Sequence, residues 1–183
     1  MSIATKLNYT PEDLLWSPEK GRYELVDGQL VDRPVSYDTS VIGLMLNARL
    51  ALFVLARRLG WVAQSDAGLQ IFPGAPSKVR FADGSFLALS KMPRRPDQGH
   101  LRIAPDLVIE VVSPGDIASN VETKVAEYLA AGVTLIWVVY PETKTVHVVR
   151  PEGNDTRLTT ADTLSGEDVV PGFQMPVAEI FDF

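Results

Sequence analysis

The chain has no cysteine and only two histidines, His100 and His147, among its 183 residues. Without cysteine there are no disulfides and no thiolate metal sites, and two distant histidines exclude a histidine-rich zinc site. Hard cations held by carboxylate oxygens stay open. Basic charge is also scarce: 17 Lys and Arg against 23 Asp and Glu leave a net charge of −6. That balance argues against broad, sequence-independent adhesion to nucleic acid, which rests on neutralising phosphates. A local patch from Arg49, Arg57, Arg58, Lys91, Arg94 and Arg95 stays compatible with it. The N-terminus MSIATKLNYTPEDLLW lacks the apolar stretch of a signal peptide, and no run is read as approaching membrane-spanning length, so a cytoplasmic protein without a membrane partner is expected. No internal repeat, linker or phosphate-cradling glycine motif occurs, and so few histidines suggest no Ser/His/Asp triad.

What is present fits one domain over residues 1–183, since that length supports a single sizeable core. It divides into an N-terminal helix and hairpin (1–36), a core (37–150) and an irregular C-terminal segment (151–183). The spacing predicts a short helix from Pro11 to Trp16, with Thr10 as N-cap and Pro11 at the first helical position. RYELV-DG-QLVD reads as two strands around a tight Asp27-Gly28 turn. Thr39 to Leu59 is predicted as a helix ended by Gly60, so apolar that it should lie deep against a sheet. Trp61–Phe72 and Lys78–Leu89 read as strands around Pro73-Gly74, and Ser90–His100 as an exposed loop. Leu107–Val112 carries the near-continuous apolar run of a strand covered on both faces. A capped helix, Asn120–Ala131, closed by Gly132, leads to strands Thr134–Tyr140 and Thr145–Arg150. In the C-terminal segment Phe173, Ile180 and Phe183 are candidate anchors. The strand–helix–strand unit implies one parallel pair in a mixed sheet, hence an α/β fold with helices flanking that sheet.

Glu110 interrupts PDLVIEVV, and a carboxylate inside a doubly covered strand is costly unless paired or metal-bound. Alternation puts Val108, Glu110 and Val112 on one face and Leu107, Ile109 and Val111 on the other. Lys124 falls within the stripe Val121, Val125, Tyr128, Gly132 of the following helix and should point toward that sheet. Asp83 would share a face with Val79 and Phe81, although Asp83-Gly84 reads equally as a turn. Glu24 in YELV is compatible with a site or with an exposed hairpin. Asp106 shares the Glu110 face, but at ~3.3 Å per residue the two backbones stand about 13 Å apart, too far for an obvious shared ion.

Taken together, YELVDGQLV, PDLVIEVVSPGD, the run Lys124-x-x-x-Tyr128-x-x-Ala131-Gly132-Val133 and IWVVYPETKTV resemble the Uma-two endonuclease family of the PD-(D/E)xK restriction-endonuclease-like superfamily. The resemblance spans about Tyr23 to Val149. It implies a restriction-endonuclease-like core, with Asp83 and Glu110 as metal ligands, Lys124 as the cationic residue and Glu24 near the same site. The superfamily lysine two residues after the glutamate is Val112 here, and Lys124 matches the helical lysine that takes its place. Ala82 replaces the proline before the strand aspartate, and Gly84 follows it. Asn120 stands where an acidic residue is common, and Asp38 or Thr39 near the place of an early-helix histidine.

From this the expected function is divalent-metal-dependent cleavage of DNA, with Mg²⁺ or Mn²⁺ held by Asp83 and Glu110. The alternative is the same fold as an inactive module that binds protein or nucleic acid, the charges kept as an ion-pair network; a hydrolase of small phosphate esters ranks third. A stripe with Arg94 and Arg95 beside the carboxylates would favour DNA. A homodimer is expected, with Leu30, Phe173, Ile180 and Phe181 as candidate interface anchors.

Overall fold

The computed structural model describes residues 8–18, 21–34, 36–94 and 98–182. Helix α1 (Pro11–Trp16) starts as expected: the Thr10 hydroxyl accepts the Asp13 amide while the Asp13 carboxylate accepts the Thr10 amide. Strands β1 (Tyr23–Val26) and β2 (Gln29–Asp32) form the expected hairpin. Asp27 and Gly28 both take positive φ, the backbone that a two-residue turn between right-twisted strands requires. Leu14 and Leu25 pack with Val79 and Phe81 in a small core under this hairpin.

Helix α2 (Tyr37–Arg57) begins two residues earlier than expected because Ser36, not a later residue, makes the capping box, here with Thr39. It ends at Arg58 in a left-handed conformation. The segments read as two long strands are each broken: β3 (Gly60–Gln64) and β4 (Gly68–Leu69), then β5 (Arg80–Phe81) and β6 (Gly84–Ala88). The break at Ala82-Asp83 cancels the alternation that grouped Val79, Phe81 and Asp83. Then follow β7 (Leu107–Val111), α3 (Ala118–Ala130), β8 (Leu135–Tyr140) and β9 (Thr145–Val149). Helix α3 starts ahead of Asn120, with Ile117 at its N-cap and no side-chain cap; Gly132, at φ +94°, closes it as expected.

The C-terminal segment is not irregular. It adds β10 (Thr156–Leu158), the β11 (Thr163–Ser165) and β12 (Gln174–Pro176) hairpin, and a 3₁₀ turn over Val177–Ile180. These short elements are held by distant partners rather than by a local pattern, so sequence periodicity does not announce them.

The central sheet runs β10-β9-β8-β7-β6-β3, and only β7 and β8 pair in parallel, as the crossover through α3 requires. This mixed sheet with flanking helices is the expected fold. Leu107, Ile109 and Val111 face α2 and the C-terminal elements. Val108, Ile136 and Val138 face α3 through Val121 and Tyr128. Phe173 and Ile180 are buried in the α2-side core, with Phe181 packed on it, and Leu30 packs on the hairpin core. Phe173 and Ile180 are therefore used within one chain and are not available as interface anchors, whereas Leu30 and Phe181 stay partly exposed. Phe183 lies outside the described residues.

Helix α2 differs from expectation in a second way. Its Ile42, Leu46, Leu50 and Val54 side packs on the sheet, but the opposite side, including Leu44, Leu52 and Leu55, stays exposed. At 21 residues, with an 18-residue window of mean hydropathy 1.8, it is long and apolar enough to cross a membrane, contrary to the reading that no run approaches that length. On the sheet side, core packing accounts for that composition.

Candidate active site

Glu24, Asp83, Glu110 and Lys124 arrive from β1, the β5–β6 break, β7 and α3, and all four line one cleft of about 480 Å³. The strand and helix periods explain the meeting. Glu110 points off β7 toward α3, and Lys124 and Tyr128, one helical turn apart, both reach it. The Lys124 ammonium lies 3.2 Å from Glu24 Oε1 and 3.3 Å from Glu110 Oε2. The Tyr128 hydroxyl donates to Glu110 Oε1 at 2.7 Å. Glu24 is held further by the Arg80 guanidinium at 2.7 Å and by the Phe81 amide at 3.0 Å.

Asp83 is not at a hairpin tip. Its Oδ2 accepts the Val111 amide at 2.7 Å, which fixes the carboxylate against the strand that carries Glu110. Arg33, just past β2, anchors the break: it donates to the carbonyls of Gly21, Ser65 and Phe81, lies over the Phe81 ring, and stands 3.9 Å from Asp83 Oδ1. On the other side Asn47 of α2 donates to the Asp83 carbonyl at 2.8 Å. A Cβ at Gly84 would stand 2.2 Å from Asn47 Oδ1, so only glycine fits after Asp83 once that brace is in place.

Electrostatics separate the acids. Burial, partly offset by Lys124 and reinforced by the Asp83 and Glu24 charges, pushes the Glu110 carboxyl up to about 7. Burial also raises Asp83, against the Val111 amide and the Arg33 and Lys124 charges. Glu24 goes the other way: burial is outweighed by Lys124, Arg80 and the Phe81 amide, so it stays below its ordinary value. Burial would lower Lys124, but Glu110 and Glu24 raise it and keep it charged.

Among the described residues no three His, Cys, Asp or Glu side chains converge as a metal cage. Two raised carboxylates, Asp83 and Glu110, do share the cleft. Mg²⁺ or Mn²⁺, which keep several waters and need only one or two protein carboxylates, suit that donor set; zinc does not.

Sequence reasoning missed Arg33, Arg80 and Asn47 and counted Tyr128 only as packing. A signal existed for Tyr128, four residues after Lys124 and so on its face. None existed for Arg33 or Asn47, whose contacts are with distant backbone carbonyls. Asp106 lies apart from the site, accepting the Ala88 amide and pairing with Lys91. Arg94 is not among the cleft residues, and Arg95 lies outside the described ones. The envisaged Arg94-Arg95 stripe therefore gains no support.

The profile of the Uma2 family, described as "Putative restriction endonuclease", matches residues 10–178. The chain belongs to the Uma2 family. No curated protein matches it. The fold is shared with a crystal structure from Anabaena variabilis described as a putative nuclease of the DUF820 group. That comparison gives a TM-score of 0.78 at 20% identity, over 94% of this chain and 97% of the other. Of the two residues near the early-helix position, Thr39 lines the cleft and hydrogen-bonds Ser113 at 3.1 Å, while Asp38 is exposed and outside it. Val112 is partly buried among the α3-side core residues. The ammonium beside Glu110 is that of Lys124, from α3.

Proposed function

We propose that this Uma2 protein is a divalent-metal-dependent endonuclease hydrolysing DNA phosphodiester bonds at the cleft of Asp83, Glu110, Lys124 and Glu24. The observation that carries this reading is the Lys124 ammonium held between Glu24 and Glu110 at the wall of a cleft that also contains Asp83. Asp83 and Glu110 would hold Mg²⁺ or Mn²⁺, which when bound supplies positive charge against the phosphate and makes water more acidic.

The chain's own groups do the rest. Glu24, kept ionised by Lys124 and Arg80, fixes the ammonium in place. Lys124 then presents a permanent cation where charge builds on the phosphate, with no reorganisation during reaction. Tyr128 donates to one oxygen of Glu110 and so orients the carboxylate whose other oxygen, beside Lys124, faces the cleft where the ion would sit. Ser40, Gln64, Ser65, Asn120 and Thr123 line the cleft. Such neutral groups contact phosphates without adding charge, which reconciles a DNA substrate with a net charge of −6.

A second reading has one observation in its favour: the charges at Glu24 and Lys124 are already paired inside the protein, as in an ion-pair network kept for structure. Calorimetry separates the two. Mn²⁺ is expected to bind weakly, more tightly with DNA present, and not at all in Glu110→Gln. No binding heat even with DNA would favour the non-enzymatic module.

A further inference from the structure

Two ionised residues close to the site have no part in the chemistry above. Glu127 on α3 and Lys78, just before β5, have mostly buried side chains yet do not line the cleft. Glu127 stands three residues after Lys124, its neighbour on the surface of the same helix. Its Oε2 accepts from Arg80 Nε at 2.9 Å, and its Oε1 from the Lys78 ammonium at 2.6 Å. Arg80 reaches Glu24 Oε2 at 2.7 Å with a different nitrogen, Nη1. Alternating charge therefore runs through Lys78, Glu127, Arg80, Glu24, Lys124 and Glu110, each neighbour within 3.3 Å of the next. Because Glu127 and Lys124 share one helix, the stretch between them closes into a ring.

The ring joins parts that are otherwise separate. Glu24 comes from the β1–β2 hairpin and Arg80 from the β4–β5 pair, neither of which belongs to the central sheet that carries Glu110. Leu25 and Val79 tie the hairpin to the strand of Arg80 through two backbone hydrogen bonds of 2.9 Å. Backbone pairing leaves the Glu24 carboxylate free to turn. An arginine meets a carboxylate best with two parallel N–H groups. Here Arg80 gives Glu24 a single nitrogen, because Glu127 occupies Nε. Without Glu127 the guanidinium is free to take both oxygens of Glu24. That would draw Oε1 away from the Lys124 ammonium, now 3.2 Å from it, and from the Phe81 amide.

We infer that Glu127 is a positioning residue: by holding one edge of Arg80 it leaves Glu24 Oε1 to the Lys124 ammonium, and so sets where that cation stands in the cleft. Glu127 lies outside the cleft, so its effect on cleavage has to pass through Arg80, Glu24 and Lys124. An arginine is needed at position 80, because a lysine is a point charge without the fork that spans both acids. The inference rests on the role proposed for Lys124 in DNA cleavage.

Glu127→Ala removes the anion and keeps a strong helix former in α3, so circular dichroism should match wild type. The expected result is about a tenfold fall in kcat with KM for DNA changed by less than about twofold, a size typical of coupling within one ion-pair network. Glu127→Gln keeps an oxygen for Arg80 Nε without the charge and should fall between. Added to Lys124→Met, Glu127→Ala should cost nothing further, since its route to the reaction is gone. Equal losses in both backgrounds overturn the proposal, because a general loosening of the fold produces them. A second readout needs no cleavage. Nitrogen-15 NMR of the lysine side chains should show a slowly exchanging ammonium signal that is absent from Lys124→Met and lost in Glu127→Ala. A wild type that cuts no DNA removes the cleavage reading alone, and the ammonium signal then decides the positioning of Lys124: its persistence in Glu127→Ala overturns the proposal.

Discussion

Glu110→Gln is expected to abolish DNA cleavage while making the protein more stable at pH 8. The Glu110 carboxyl lies near 7 in the folded chain against an ordinary value of 4.5. Below pH 4.5 it is protonated in both states and has no effect on stability. As pH rises from 4.5 to 7 the unfolded chain releases the proton first, so the fold loses stability across that window and reaches a plateau above it. A difference of this size corresponds to about 3 kcal/mol at the plateau. Glutamine keeps a carbonyl for the Tyr128 hydroxyl and removes the buried charge, so the variant should gain up to about that amount at pH 8 and little at pH 4.5. Urea melts at the two pH values measure it. A variant clearly weaker than wild type at pH 8 would mean that Glu110 serves a structural ion pair.

Lys124→Met should do the opposite to stability. It removes the cation between Glu24 and Glu110 and leaves Glu110 without a cationic partner, while Glu24 keeps Arg80 and the Phe81 amide. Breaking a buried pair from one side costs about 3–5 kcal/mol, toward the lower end here because the Lys124 side chain keeps 20% exposure. Cleavage should fall roughly 10²–10³-fold, the size seen when one preorganised stabilising group is lost. Combining Lys124→Met with Glu110→Gln should recover part of the stability and none of the activity, because the two groups interact directly. Stability within 0.5 kcal/mol of wild type for Lys124→Met would contradict the site's electrostatics.

The readings that succeeded rest on strong local rules. A lone glutamate in an unbroken apolar strand is costly enough to be informative, and helical spacing alone set Lys124 on the face toward it. The parallel pair followed from strand, helix and strand in immediate succession. Asp83 was ambiguous because its geometry comes from elsewhere: Arg33 and Asn47 brace the β5–β6 break from segments far away in sequence, and Gly84 is needed only because Asn47 fills the space. Alternation assumed a continuous strand there and so misassigned its face. Helix α2 was read as lying deep against a sheet, and its exposed side went unseen, because composition does not distinguish a buried apolar face from an exposed one. The C-terminal strands escaped notice since each has only three residues and is defined by its partner. The same long-range docking, of Phe173 and Ile180 on the α2-side core, removed them as interface candidates.

The most direct measurement is cleavage of duplex and single-stranded DNA by the purified chain in Mg²⁺ or Mn²⁺, against Asp83→Asn. The asparagine keeps an oxygen for the Val111 amide and loses the charge that the proposed metal site requires. The expected result is metal-dependent cleavage by wild type, stopped by a chelator and lost in Asp83→Asn while the variant stays folded. Equal cleavage by both proteins, or none by wild type with either metal on either substrate, would contradict it.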